Sequence, residues 1–181
     1  MASTYEHQPL KSSRAIRVLT LEPAKSPESI IKCSLGELDL DNITRSTRYE
    51  ALSYVWGARK GTIPILCEGK EILVTPNCHD AMLQLRLRSK QRRLFIDAIC
   101  IDQRPDTPSR REREGQVKIM GIVYERASRV IVWLDKIQPP SEQRLFRFIR
   151  IFAWIGRLEA KVRPGRSFLD GPIPGAVSWC C

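Results

Sequence analysis

No run in this sequence approaches the roughly 18 consecutive apolar residues that a membrane-spanning helix needs. The N-terminal stretch MASTYEHQPLKSSR also lacks the apolar core of a secretory signal, so a cytoplasmic chain is expected. Histidine is scarce, with only His7 and His79. The cysteines, Cys33, Cys67, Cys78, Cys100, Cys180 and Cys181, include no Cys-x-x-Cys pair. Together these shortages argue against a zinc site, and no metal is expected. In a reducing compartment Cys33, Cys67 and Cys100 read as small buried hydrophobes. No phosphate-binding P-loop is present, so the closing Cys180-Cys181 gains no support as the prenylated tail of a small GTPase.

Acidic residues are outnumbered, 20 against 30 Lys and Arg, for a net charge of +10. The densest basic run, Arg86–Arg93 (RLRSKQRR), falls where a helix is expected to end, and cations suit that position. The chain has no zinc finger, no RNA-recognition signature and no aromatic stacking ladder. A solvated basic face is the expectation, and sequence-specific nucleic-acid binding is not.

What is present fits one domain of ordinary globular composition, 181 residues with 43% hydrophobic and 28% charged. Residues 1–14 are polar and read as a flexible segment. Ala15–Leu21 (AIRVLTL) alternates as a strand, Ile30–Leu35 suggests a second, and Asp41–Arg48 reads as a loop. Tyr49–Gly57 (YEALSYVWG) is rich in strand formers and ends at a glycine suited to a sharp turn. Thr62–Cys67 and Glu71–Thr75 flank Glu68-Gly69-Lys70 as a β-hairpin. A helix follows, capped by Thr75 or Asn77 with Pro76 in its first turn, and Cys78, Ala81, Met82 and Leu85 make its inner side.

Leu94–Gln103 (LFIDAICIDQ) reads as a buried strand carrying Asp97, Cys100 and Asp102. A buried carboxylate costs several kcal/mol unless it is paired or functional, so Asp97 is a first candidate site residue. Arg104–Arg111 reads as a loop, and residues 112–127 as a helix with a Val117, Met120, Gly121, Tyr124, Ala127 stripe. Val130–Leu134 reads as a strand covered on both faces. Leu94 to Leu134 thus forms a βαβ unit, with Asp102 and Gln103 beyond the carboxyl end of its first strand, where ligands gather in open sheets. The expected architecture is α/β. A central, mostly parallel sheet with flanking helices is joined to an N-terminal β-rich portion containing the hairpin. Ser141–Ile155 is a further amphipathic helix, suited to pack on the sheet or to lie on a membrane surface. Residues 157–181 read as an irregular tail.

Three blocks in order, YEALSYVWG, LFIDAICIDQ and QVKIMGIVYERASRVIVWLD (Gln116–Asp135), closely resemble the fungal heterokaryon-incompatibility (HET) domain. The IRVLTLEP and VTPNCHDAMLQLR segments extend the resemblance, which covers Ala15 to Asp135 and more loosely reaches about residue 156. It departs at Asp102, where members commonly have Asn, and at Phe95, where they often have Trp. Such domains usually head much longer chains, so a fragment, truncated or degenerate member is expected. The resemblance implies a signalling module of non-self recognition and programmed cell death, acting through protein partners or self-association and requiring no cofactor. It also implies distant similarity to TIR domains, with flavodoxin-like layering, some of which cleave NAD.

Under that second implication NAD is a substrate. Ser53, Trp56, Gly57, Asp102 and Gln103 are then ligand-pocket candidates, with Asp97 and Glu142 the catalytic ones; Glu142 is placed only by its order along the chain. The bond broken would be the nicotinamide–ribose bond, with a carboxylate stabilising an oxocarbenium-like transition state. The plainer reading of Asp97 is a buried carboxylate bonded to backbone amides or an arginine. A thiol nucleophile at Cys100 would need a base such as His79 beside it.

Overall fold

A seven-stranded sheet organises the protein, with strands in the order β5-β4-β2-β1-β6-β3-β7. The computed structural model describes residues 3–26, 28–57 and 60–134. The strands are β1 (Ala15–Leu21), β2 (Lys32–Asp39), β3 (Glu50–Tyr54), β4 (Ile63–Cys67), β5 (Lys70–Val74), β6 (Arg92–Phe95) and β7 (Arg129–Trp133). The helices are α1 (Pro76–Leu85), α2 (Asp97–Cys100) and α3 (Thr107–Arg126).

The sheet is mixed, which corrects the expectation of a mostly parallel one. β1 pairs antiparallel with β2 along seven register partners and with β6 along three, and β4–β5 is antiparallel. Parallel pairing joins β2 to β4 and, more usefully, sets β6, β3 and β7 side by side. The expected N-terminal β-rich portion is part of the same sheet, because β1 inserts next to β6.

Several expectations hold. Glu68 (φ 52°) and Gly69 (φ 78°) both occupy the left-handed region, as the two central residues of a type I′ hairpin turn require. Thr75 caps α1, accepting from the Cys78 amide at 3.3 Å. Cys78, Ala81, Met82 and Leu85 are its buried residues. Together with the buried side chains of β1, β3 and β6 they build the core.

Others are corrected. LFIDAICIDQ is strand only to Phe95; at Ile96 the chain turns into the single helical turn of α2. The Ile96 carbonyl accepts from both the Ile99 and Cys100 amides, at 3.0 and 2.7 Å. Buried Ile96, Ile99 and Cys100 have the i, i+3, i+4 spacing of a helix, a signal masked by their strand-like composition.

Helix α3 starts at Thr107, inside the expected loop, because the Asp106 carboxylate accepts from the Ser109 amide at 2.9 Å. Its buried residues are Ser109, Gln116 and Val123, while Val117 of the expected stripe is 55% exposed. β7 is an edge strand rather than one covered on both faces: Val130 and Val132 are exposed while Ile131 and Trp133 pack inward. The βαβ unit is present, with β3 inserted between its two parallel strands.

Residues 3–14, read as flexible, are tied down. The Tyr5 amide donates to the Glu71 carbonyl at 2.9 Å, and the Glu71 amide to the Ser3 carbonyl at 2.8 Å. His7 Nε2 donates to the Ile99 carbonyl at 2.8 Å. Beneath this strap Arg17, 4% exposed, forms a two-pronged pair with Glu112 at 2.7 and 2.8 Å. It also donates to the Cys100 carbonyl at 3.1 Å, so β1, α2 and α3 meet at one guanidinium.

Candidate functional site

Parallel strands β6, β3 and β7 all deliver their carboxyl ends to one place, where β6 hands over to α2 at Asp97. Trp56, two residues beyond β3, donates its indole N–H to the Asp97 carboxylate at 3.0 and 3.2 Å. The Ala98 amide donates to Asp97 Oδ1 at 2.8 Å. Burial pushes the Asp97 pKa up, against the Ala98 and Trp56 bonds that favour the anion. Gly57 follows Trp56 with φ 71°, the left-handed turn expected there.

Around this pair stand groups that sequence reasoning assigned to the core or to capping. Asn77 on α1 donates to the Val55 carbonyl at 2.6 Å and accepts from Trp133 Nε1 at 2.7 Å, linking β3, α1 and β7. The Tyr54 hydroxyl is buried and has no hydrogen-bond partner among the described residues. Burial, with the Cys78 thiol and Asp97 carboxylate nearby, pushes its pKa up, so it stays a neutral donor. Tyr124 reaches in from α3 and donates to the Leu52 carbonyl at 3.2 Å. The signal for these residues was chemical: Tyr and Trp carry a polar end that seeks a partner when the ring is buried.

The cluster combines a carboxylate reluctant to ionise, a half-exposed indole and an unused phenol donor. Such a set can accept hydrogen bonds from paired hydroxyls and stack a flat ring.

Of the sequence candidates, Trp56 and Asp97 are in contact. Gln103 joins them through its side-chain N–H to the Asp97 carbonyl, at 3.3 Å. Ser53 is the register partner of Val132 and lies on the sheet face opposite Tyr54. Asp102 is elsewhere. Its carboxylate takes two prongs from Arg104, the Arg104 amide and the Ser109 hydroxyl, with His7 Nδ1 at 3.8 Å. Although burial opposes ionisation there, these partners hold its pKa down at about 2.

A cavity of about 540 Å³ between residues 7–14 and α3 includes Asp102. Asp102 is paired there with a cation, Arg104, whereas the Asp97 carboxylate accepts from the neutral Trp56 indole and Ala98 amide. Glu142 and the Ser141–Ile155 segment lie outside the described residues. Burial pushes the Cys100 thiol up to about 12, and no hydrogen bond joins it to His79. Among the described residues no group of three His, Cys, Asp or Glu side chains is placed to hold a metal ion, and no helix is long and apolar enough to cross a membrane.

Fold and site together define a mixed α/β module with an aromatic–carboxylate cluster at the carboxyl ends of three parallel strands. The chain belongs to the heterokaryon incompatibility protein (HET) family, whose pattern matches residues 49–157. It is 30% identical over 171 residues to "Heterokaryon incompatibility protein 6, OR allele" of Neurospora crassa. That alignment takes in 87% of this chain and 22% of the Neurospora protein, so the chain spans about a fifth of its relative's length. No solved structure matches.

Proposed function

We propose that this chain acts in fungal incompatibility as a cytoplasmic signalling module, driving programmed cell death by self-association or through a protein partner. Family membership and the name of the Neurospora relative support the setting. The observation that carries the mode of action is β7. Its outer edge has no strand partner among the described residues, and Val130 and Val132 stand exposed on it. An open, apolar strand edge is a template for pairing with another chain.

The test is expression in fungal cells with viability as the readout. Killing is expected from the parent chain and is expected to disappear in Val132→Lys, a substitution that blunts an edge without touching the core. Undiminished killing by a folded Val132→Lys protein removes the β7 edge from the mechanism.

The Asp97–Trp56 pair supports a second reading, hydrolysis of NAD. Water adds to the ribose carbon as the bond to nicotinamide breaks, giving nicotinamide, ADP-ribose and a proton. Trp56 would stack the base, and Asp97 would hold ribose hydroxyls and steady the developing cation. No cofactor is required, since NAD is the substrate.

Nicotinamide release from NAD, followed with purified protein, tests this directly. Asp97→Asn and Glu142→Gln are each expected to cut turnover by about 10²-fold or more. No turnover by a folded, self-associated sample ends the hydrolase reading. Killing without any fall in cellular NAD decides for association.

A further inference from the structure

The amino ends of the same three strands carry a second arrangement that neither reading uses. Arg92 opens β6, Glu50 opens β3 and Arg129 opens β7. Glu50 is in register with Arg129 and with Leu94, two residues beyond Arg92, so all three side chains share one face of the sheet. Both guanidiniums close on the single Glu50 carboxylate. Burial opposes its ionisation, but the two arginines outweigh that and hold its pKa below the usual range.

Beside this clamp lies a groove of about 440 Å³, walled by Arg48, Arg92, Arg93 and Arg129 with Glu50 its only carboxylate. Arg48 is exposed, and so is 60% of the Arg129 side chain. Arg93 reaches the Ser46 carbonyl at 3.4 Å, while its Nε is buried with no acceptor among the described residues. One carboxylate cannot neutralise four arginines, so the groove keeps an excess of positive charge and unused donors. Guanidinium forks match phosphate oxygens two at a time.

We propose that this groove binds a compact ligand bearing two or more phosphate groups, either free in solution or as the headgroup of a lipid. Its volume falls in the range of small-molecule sites, roughly 300–1,000 Å³. The aromatic side chain in its wall, Tyr49, is buried and donates to the Val123 carbonyl at 2.6 Å, so it offers no platform for stacking bases. A small polyanion therefore fits better than a nucleic-acid strand.

Calorimetric titration of the full chain with tripolyphosphate at low ionic strength tests the site. Saturable binding is expected, weakened about tenfold by Arg48→Glu, the loss of one charge-assisted contact. Lys118→Glu on α3, an equal charge change outside the groove, is expected to leave binding unaltered. Thermal unfolding checks that both variants fold. Phosphatidylcholine vesicles with and without a phosphoinositide bisphosphate distinguish the sources. Selective, tripolyphosphate-competed binding to the former assigns a lipid headgroup, and binding of free tripolyphosphate alone assigns a soluble ligand. The proposal falls if the folded protein shows no saturable tripolyphosphate binding, if both variants lose affinity equally, or if duplex DNA binds more tightly.

Discussion

Glu50 and Asp97 are carboxylates at opposite ends of the same parallel strands, and they live under opposite electrostatics. Glu50 is embraced by Arg92 and Arg129, which stabilise its charge. Asp97 has an indole and an amide for company, and its burial disfavours the charge. A carboxylate held by cations is a joint in the fold. One held by neutral donors, with a pKa moved toward neutrality, is available for chemistry. The contrast teaches that burial alone does not mark a site; the kind of partner does.

The largest expected effect comes from breaking the cationic end. Glu50→Ala leaves two arginines facing each other across the sheet and should cost about 2–3 kcal/mol in urea unfolding at neutral pH. A cost below roughly 0.5 kcal/mol, the level of an ordinary surface change, would mean that Glu50 is no joint.

At the other end, Asn77→Ala removes the bonds to Val55 and Trp133 and should cost about 1 kcal/mol, with altered tryptophan fluorescence as the loop carrying Trp56 loosens. Unaltered emission would detach Asn77 from the site.

Asp97→Asn should stabilise the protein slightly at neutral pH, because burial disfavours the Asp97 charge. Because the folded pKa of Asp97 is raised, its contribution is most favourable below the unfolded value of about 3.9 and is lost as pH rises through the folded one. Glu50 runs the other way: its folded pKa is lowered, so its stabilisation is present above the unfolded value of about 4.3 and is lost as pH falls through the folded one. Unfolding of both variants and the parent between neutral and acid pH should therefore show the Asp97→Asn gain and the Glu50→Ala loss both shrinking on acidification. A gain or a loss that stays constant on acidification would refute the contrast.

The smallest effect is that of salt. Raising it to about 1 M should trim the Glu50 contribution by a few tenths of a kcal/mol, since Arg129 is exposed, and leave Asp97→Asn unmoved.

Much of the fold was legible because local rules decided it. The hairpin turn, the Thr75 cap and the inner side of α1 each follow from residues within one turn of each other. β1 was readable by alternation, yet its insertion beside β6 was not, because strand order depends on pairing between distant segments. Likewise the Arg17–Glu112 pair joins residues far apart in sequence, and neither has a neighbour that announces the other. Ile96, Ile99 and Cys100 were misassigned to a strand because β-branched composition outweighed a spacing only one turn long. At the site, Trp56 and Asp97 were singled out separately, and the structure brings them into contact. Asn77 was noticed only as a cap, since its cross-links to Val55 and Trp133 exist only once three elements converge.

Strand β3 spans five residues, and Glu50 and Tyr54, at its two ends, face the same side of the sheet. About 13 Å of extended chain separates the arginine clamp from the phenol beside Asp97. The strand is thus a stiff rod fixed at one end by two charges. A slip of one residue would turn Glu50 away from both arginines and Tyr54 away from Asp97 together. The register that seats Glu50 between the arginines is therefore the same one that sets Tyr54 beside Asp97.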